Sequence, residues 1–330
     1  MSIELVHVYR GSFIESIHRG DIVGVDASGA VLFQYGNPYK RTFWRSSAKP
    51  FQIVPFVESG GIEAFDLSTK ELALMTASHG GEEEHLRILA SILKKIGKTV
   101  DDLDCGVARP MYEGEYKRLV AENIPFTQGN NPCSGKHSGM LALGVYKSID
   151  LHDYIMVDHK VQQIMLKCIA EMTELETDQI DVAIDGCGVP VFGMPIYNMA
   201  LAYTKLSGPF DLESRRGLAL SMISHAMTHE PYYVAGTKRL DTILMEETKG
   251  KVLAKLGAES VYCMSIRYKG VGIAMKMEDG AYRALDSVVP NLLLKHGYID
   301  DDEYKAINER LPLSVYNHRE QVVGALRCVL

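Results

Sequence analysis

The feature that most limits the fold of this chain is strand-like alternation at both ends, enclosing a long stretch of helical periodicity. From Val6 to Tyr35 apolar and polar residues alternate. Turn residues at Arg19-Gly20-Asp21 and at Asp26-Ala27-Ser28-Gly29 divide this stretch, which predicts two or three antiparallel strands. Residues 46–59 have helical character, and Pro50 suits a first turn, where its missing N–H costs nothing. Residues 66–235 are mostly helical in pattern. Glu82 to Ile96 places Leu86, Ile88, Leu89, Ile92, Leu93 and Ile96 at helical spacing, and residues 158–172 and 212–227 behave alike. Ile180 to Ile184 is a short strand-like run. Strands return at Val252–Leu256, Val261–Tyr268, Val271–Met277 and Tyr282–Leu285, with Asp279-Gly280 as a turn dipeptide, before closing helices at 288–294 and 300–311. The simplest packing is an α+β fold whose antiparallel sheet draws strands from both chain ends and is flanked by helices. Residues 1–65 plus 236–330 then form an α/β sheet domain, and residues 66–235 a mostly helical inserted domain.

Composition removes several classes of function. At 46% hydrophobic and 23% charged residues over 330 positions, the chain has ample material for a packed core and is not a disordered protein. It carries 35 basic and 42 acidic residues, a net charge of −7, and no basic tract longer than Lys94-Lys95 or Arg215-Arg216, so nucleic acid is not an expected partner. Glu4 and Arg10 interrupt any leader-like apolar segment, and no apolar run approaches the roughly 20 residues of a membrane span. A cytoplasmic location with no membrane contact is expected. There the six cysteines, which form no C-x-x-C pair, are free thiols or metal ligands.

Five short segments concentrate chemistry. In Ser46-Ser47-Ala48-Lys49 a helical turn puts Ser46 and Lys49 on one face. A desolvated lysine sheds its proton more readily and can activate a nearby hydroxyl. With 21 serines and 20 lysines, about one S-x-x-K pair arises by chance, and Ser91/Lys94 is such a pair on an amphipathic helix. Position distinguishes the first pair: it opens a helix after the N-terminal strands, beside Arg45, a carboxylate-binding fork. Lys255-Leu256-Gly257 on a late strand can hold a cation over a site. Set against an upstream S-x-x-K, it is similar to the paired motifs of serine β-lactamases and penicillin-binding proteins, although their intermediate S-D-N is absent. Asn130 to Gly139 crowds Cys133, Lys136 and His137 among small residues ahead of an apolar run; a plain capping turn with a buried thiol is the alternative. Asp185-Gly186-Cys187-Gly188 follows a strand. Cys133, Cys187 and Asp185 suit a soft or borderline divalent ion such as zinc, or else the thiols are simply buried. Ser78-His79-Gly80-Gly81 fits either a helix cap before Glu82-Glu83-Glu84 or a second catalytic serine in a tight loop.

Taken together, Arg45–Pro50, Ser78–Gly81, Cys133–Gly139, Asp185–Pro190 and Lys255–Glu259 resemble, in order, the motifs of the Rhizobium-etli-type L-asparaginases, the asparaginase II family. The resemblance implies a serine β-lactamase/glutaminase-like fold, a homodimer, and hydrolysis of L-asparagine to L-aspartate and ammonia. It also implies two Ser–Lys tandems, Ser46 with Lys49 and Ser78 with Lys255, Lys276 being the competitor for the last. It further implies a zinc site from Cys133, Lys136, Asp185 and Cys187 and a substrate pocket touched by Arg45, His137, Cys133 and Asp185. A lysine can bind a metal only as the neutral amine, which makes zinc occupancy sensitive to pH. The same residues are compatible with a glutaminase or another β-lactamase-like amide hydrolase, or with a protein that binds zinc or an amino acid without catalysis.

Overall fold

The computed structural model describes residues 1–330. Its strands are β1 (Ile3–Arg10), β2 (Phe13–Asp26), β3 (Val31–Tyr35), β4 (Arg41–Phe43), β5 (Asp181–Ile184), β6 (Pro190–Pro195), β7 (Val252–Gly257), β8 (Val261–Ile266), β9 (Val271–Met277), β10 (Ser314–Tyr316) and β11 (Val322–Cys328). The main sheet runs β10-β11-β1-β2-β9-β8-β7, with β3 also pairing β2, and every pairing is antiparallel. Both chain ends therefore meet in one mixed α/β architecture. No helix is long and apolar enough to cross a membrane.

Both faces of the sheet are covered. In β8, Val261 and Cys263 join the larger core, formed with the helices between residues 49 and 245, while Tyr262, Met264 and Ile266 join a second core. The second core rests on helices Tyr282–Lys295 and Asp301–Arg310. This two-sided burial explains why the central strands are nearly continuous apolar runs, because alternate side chains bury on opposite faces.

Three sequence expectations change. Arg19-Gly20-Asp21 is not a turn: β2 runs straight through it, and the chain reverses at Gly11. Gly20 is there for clearance, since a Cβ at this position would stand 2.6 Å from the Lys276 carbonyl oxygen on neighbouring β9. Tyr282–Leu285 is not a strand but the first turn of helix Tyr282–Lys295. Four residues are too few for period 2 to be separated from period 3.6. After Asp301–Arg310 the chain does not stop at helices: β11 pairs with β1 through Val6↔Cys328 to Arg10↔Gly324.

A small second sheet, β4-β6-β5, positions the site. Phe43 of β4 and Asp181 of β5 both pair with Gly193 of the central strand β6. This register carries Arg45, just past β4, toward Asp185, just past β5. The Asp185–Val189 reversal is closed by Asp185 N–H donating to the Val189 carbonyl at 2.8 Å.

Candidate active site

A cleft of about 310 Å³ opens where five segments meet, and Arg45, Ser46, Ser78, Cys133, Asp185 and Cys187 all line it. The segments lie far apart in sequence, so only folding assembles them.

Ser46 and Lys49 lie on a short 3₁₀ turn, Arg45–Ala48, that runs into helix Lys49–Gln52 with Pro50 in its first turn. Arg45 has φ +52°, a left-handed conformation that costs a non-glycine residue about 1–3 kcal/mol. The kink is held by its surroundings. The buried Ser47 hydroxyl donates to the Lys255 carbonyl at 2.8 Å, and the Tyr203 hydroxyl donates to the Ser47 carbonyl at 2.8 Å. Ser47 thus stitches the turn to β7 while its half-buried neighbour Ser46 faces the cleft.

Lys49 is 1% exposed. Its Nζ donates to the carbonyl of Ala77, to Ser78 Oγ at 2.9 Å, and to the carbonyl of Pro132 at 3.4 Å. The expected partner was Ser46; the hydroxyl within hydrogen-bond distance of this amine is that of Ser78. Burial lowers the Lys49 pKa, the Cys133 charge opposes the shift, and Lys136 adds to it. The loop bearing Ser78 is tied down by Ser78 N–H to the Val234 carbonyl at 2.9 Å. Ser78 does not cap the next helix: Glu82 is the N-cap of Glu83–Lys95. Of the two readings of this segment, only the placement of Ser78 at the cleft agrees with the structure.

The second expected tandem is also rearranged. Lys255 is fully buried, and its Nζ donates to the Leu256 carbonyl at 2.8 Å, not to Ser78. Its neighbours Leu256 and Gly257 line the cleft. Burial pushes Lys255 down to about 7, with Asp241 opposing and Lys49 adding. The competitor, Lys276, is half-buried and binds the carbonyls of Glu259 and Met277.

Cys133 caps helix Ser134–Tyr146, so Lys136 and His137 lie on that helix, not in a preceding loop. Lys136 Nζ donates to Cys187 Sγ at 3.0 Å. The Cys187 thiol is hydrogen-bonded to Cys133, which holds Cys133 well below the usual thiol range and pushes Cys187 up. Burial works against the Lys136 ammonium, but Cys187, Cys133 and Asp185 outweigh it and raise its pKa.

Asp185 Oδ1 accepts from Arg45 Nε at 2.9 Å and from Gly186 N–H at 2.9 Å. Burial pushes this carboxyl up; Lys136 and Arg45 prevail and hold it low. The Arg45–Asp185 pair presents one cation and one anion to the cleft. His137, expected beside the substrate, is fully buried and does not line the cleft; its Nδ1 bonds the Tyr154 hydroxyl at 2.7 Å. Arg239 lines the cleft and was not singled out by any motif.

The expected zinc ligands divide. Lys136, Cys187 and Cys133 form one linked group, and two sulfurs with an amine suit a soft or borderline divalent ion once the lysine is deprotonated. Asp185, expected as a fourth ligand, has its Oδ1 engaged by Arg45. No set of three or more His, Cys, Asp or Glu side chains is arranged to hold a metal.

Comparison with known proteins gives a family. No curated protein matches the chain significantly. The family model described as L-asparaginase II matches residues 6–328, nearly the whole length. A match of that extent takes in both strand-rich ends, the helical middle and every segment of the cleft. The chain therefore belongs to the L-asparaginase II family, and its activity is that of an L-asparaginase, hydrolysis of the amide of asparagine.

Proposed function

We propose that this L-asparaginase works through a Ser–Lys mechanism in which Ser46 is the nucleophile and the Ser78–Lys49 pair receives its proton. The 2.9 Å hydrogen bond between the buried Lys49 amine and Ser78 Oγ, in the cleft that Ser46 lines, carries this reading. The strained backbone at Arg45 supports Ser46 as the attacking group, because such strain gathers where a side chain must be held for reaction. Ser46 Oγ attacks the side-chain amide carbon, and its proton moves to Lys49 by way of Ser78. Backbone N–H groups stabilise the oxyanion. The C–N bond then breaks, the Lys49 proton goes to the leaving nitrogen, and ammonia departs. Water attacks the β-aspartyl ester and gives its proton back along the same path, releasing aspartate and free Ser46. Asp185 receives the substrate's α-ammonium and Arg45 its α-carboxylate, which suits a fork-shaped cation.

In the same reading the fold is serine β-lactamase/glutaminase-like, with residues 1–65 plus 236–330 as the sheet domain and 66–235 inserted. The meeting of β1 and β11 in one sheet supports this. The active species is a homodimer, which light scattering on the purified protein checks.

Ser46→Ala and Ser78→Ala separate the two hydroxyls. Ser46→Ala abolishes the ester that acid-quenched mass spectrometry detects during turnover. Ser78→Ala slows its formation but leaves it on Ser46. An ester found on Ser78 sinks the assignment.

Zinc held by Cys133, Lys136 and Cys187 would supply positive charge beside the cleft. Binding displaces the Lys136 proton, so zinc uptake is weaker at lower pH and releases protons to weakly buffered solution. Cys187→Ser removes both effects. Equilibrium dialysis with a pH indicator measures them, and pH-independent uptake would rule out this ligand set.

A further inference from the structure

Three buried lysines surround the cleft: Lys49, Lys136 and Lys255. Only Lys255 has a carboxylate within 4 Å. That carboxylate belongs to Asp241, in the first turn of helix Leu240–Glu247 and 2% exposed. Asp241 Oδ2 accepts from Leu256 N–H at 2.9 Å and stands 3.8 Å from Lys255 Nζ. Lys255 in turn donates to the Leu256 carbonyl. Asp241 and Lys255 thus hold the N–H and C=O of the same residue, and that residue lines the cleft. The Tyr262 hydroxyl, also buried, lies beside the Asp241 carboxylate.

What it faces is a lysine that burial would otherwise discharge, because a low-dielectric site disfavours the ammonium. Lys49 and Arg239 press in the same direction, and Cys133 opposes them. Behind Asp241, Asp286 is pushed up to about 6 by burial and by the Asp241 charge, against Arg239. Asp241 is therefore the nearest counter-charge to Lys255.

We infer that Asp241 is the positioning residue of Lys255: its carboxylate keeps the ammonium in place behind Leu256 and acts on the reaction through that lysine alone. This rests on the reading, implied by the family resemblance, that Lys255 belongs to the catalytic set. It deepens that reading, because Lys255 has a carboxylate within 4 Å while Lys49 has none.

The test is a double-mutant cycle of Asp241→Asn and Lys255→Met, read by kcat, KM and the pH dependence of kcat. Asparagine keeps an acceptor for Leu256 N–H and removes the charge. Asp241→Asn is expected to lower kcat about tenfold or more with KM within about threefold, and to move the kcat inflection about one pH unit toward acid. In the Lys255→Met background the second substitution is expected to cost nothing further. Additive losses, or an unmoved inflection with wild-type kcat in Asp241→Asn, overturn the proposal while leaving Lys255 catalytic. Wild-type turnover in Lys255→Met overturns the catalytic reading of Lys255 and this proposal with it. Should Asp241→Asn not fold, Asp241→Glu takes its place: a displaced carboxylate must lower kcat alone and have no effect when Lys255 is methionine.

Discussion

Replacing Lys49 with methionine is expected to lower kcat by about three orders of magnitude, the upper range for loss of a positioned base. Methionine roughly preserves the buried volume and removes the amine. Lys49 is enclosed, its nitrogen is coordinated by the carbonyls of Ala77 and Pro132 and by Ser78 Oγ, and no carboxylate lies within 4 Å of it. The neutral amine donates its two protons to the carbonyls and keeps its lone pair for the Ser78 proton. The ammonium spends a proton on Ser78 and has no lone pair left. Burial lowers the pKa, so the competent form gains population as pH rises through the folded value, and the acid limb of kcat/KM belongs to this lysine. Lys49→Met removes that limb along with the rate. The fold is expected to survive, because exchanging a buried cation for an apolar side chain also removes its desolvation penalty. Ammonia release and thermal unfolding, measured on one preparation, check both parts. A well-folded variant with near-wild-type turnover would end the Ser–Lys mechanism.

Gly135→Ala is expected to destabilise the protein by about 1–3 kcal/mol or more, the cost of overpacking, although alanine is the better helix former. Gly135 lies in the first turn of helix Ser134–Tyr146, between Cys133 and Lys136. A Cβ there would stand 2.1 Å from the Leu74 carbonyl oxygen and 2.9 Å from its carbon. Both are backbone atoms, so no side chain can swing aside. Helix Thr69–Met75 must separate from the helix that carries Lys136, and with it the loop that begins at Thr76 and holds Ser78. Stability and activity therefore fall together. Urea unfolding measures the first and ammonia release the second. A variant as stable as the parent would show that this close approach is not required.

The residues of the cleft were legible because chemistry is carried by residue type and local spacing. An arginine followed by a serine and a lysine three apart, a thiol ahead of a lysine and a histidine, and a thiol between two glycines were all visible in order along the chain. The register of the strands was less visible. Gly20 has the signature of a turn, yet it is a clearance for the β9 backbone, and the sequence around it carries no sign of that neighbour. β11 contains Gly324 and is half exposed, so it lacks the nearly continuous apolar run of β8, and its partner β1 lies at the other end of the chain. Asp241 carries no local signal for a related reason. An acidic residue in a helix's first turn is an ordinary partner of the helix dipole, and nothing local reveals that it faces a lysine on β7.

The sequence by itself therefore determined the candidate residues of the cleft and the order of elements, strands at both ends around a helical middle, since propensity, periodicity and motif spacing act over a few residues. Only the tertiary structure decided the partnerships: Lys49 with Ser78 instead of Ser46, Asp185 with Arg45, and Lys255 with Asp241. Hydrogen bonds and ion pairs act over about 3–4 Å. Which side chains come that close is settled by how the β4-β6-β5 register, the Ser134–Tyr146 helix and the end of β7 pack around one cleft.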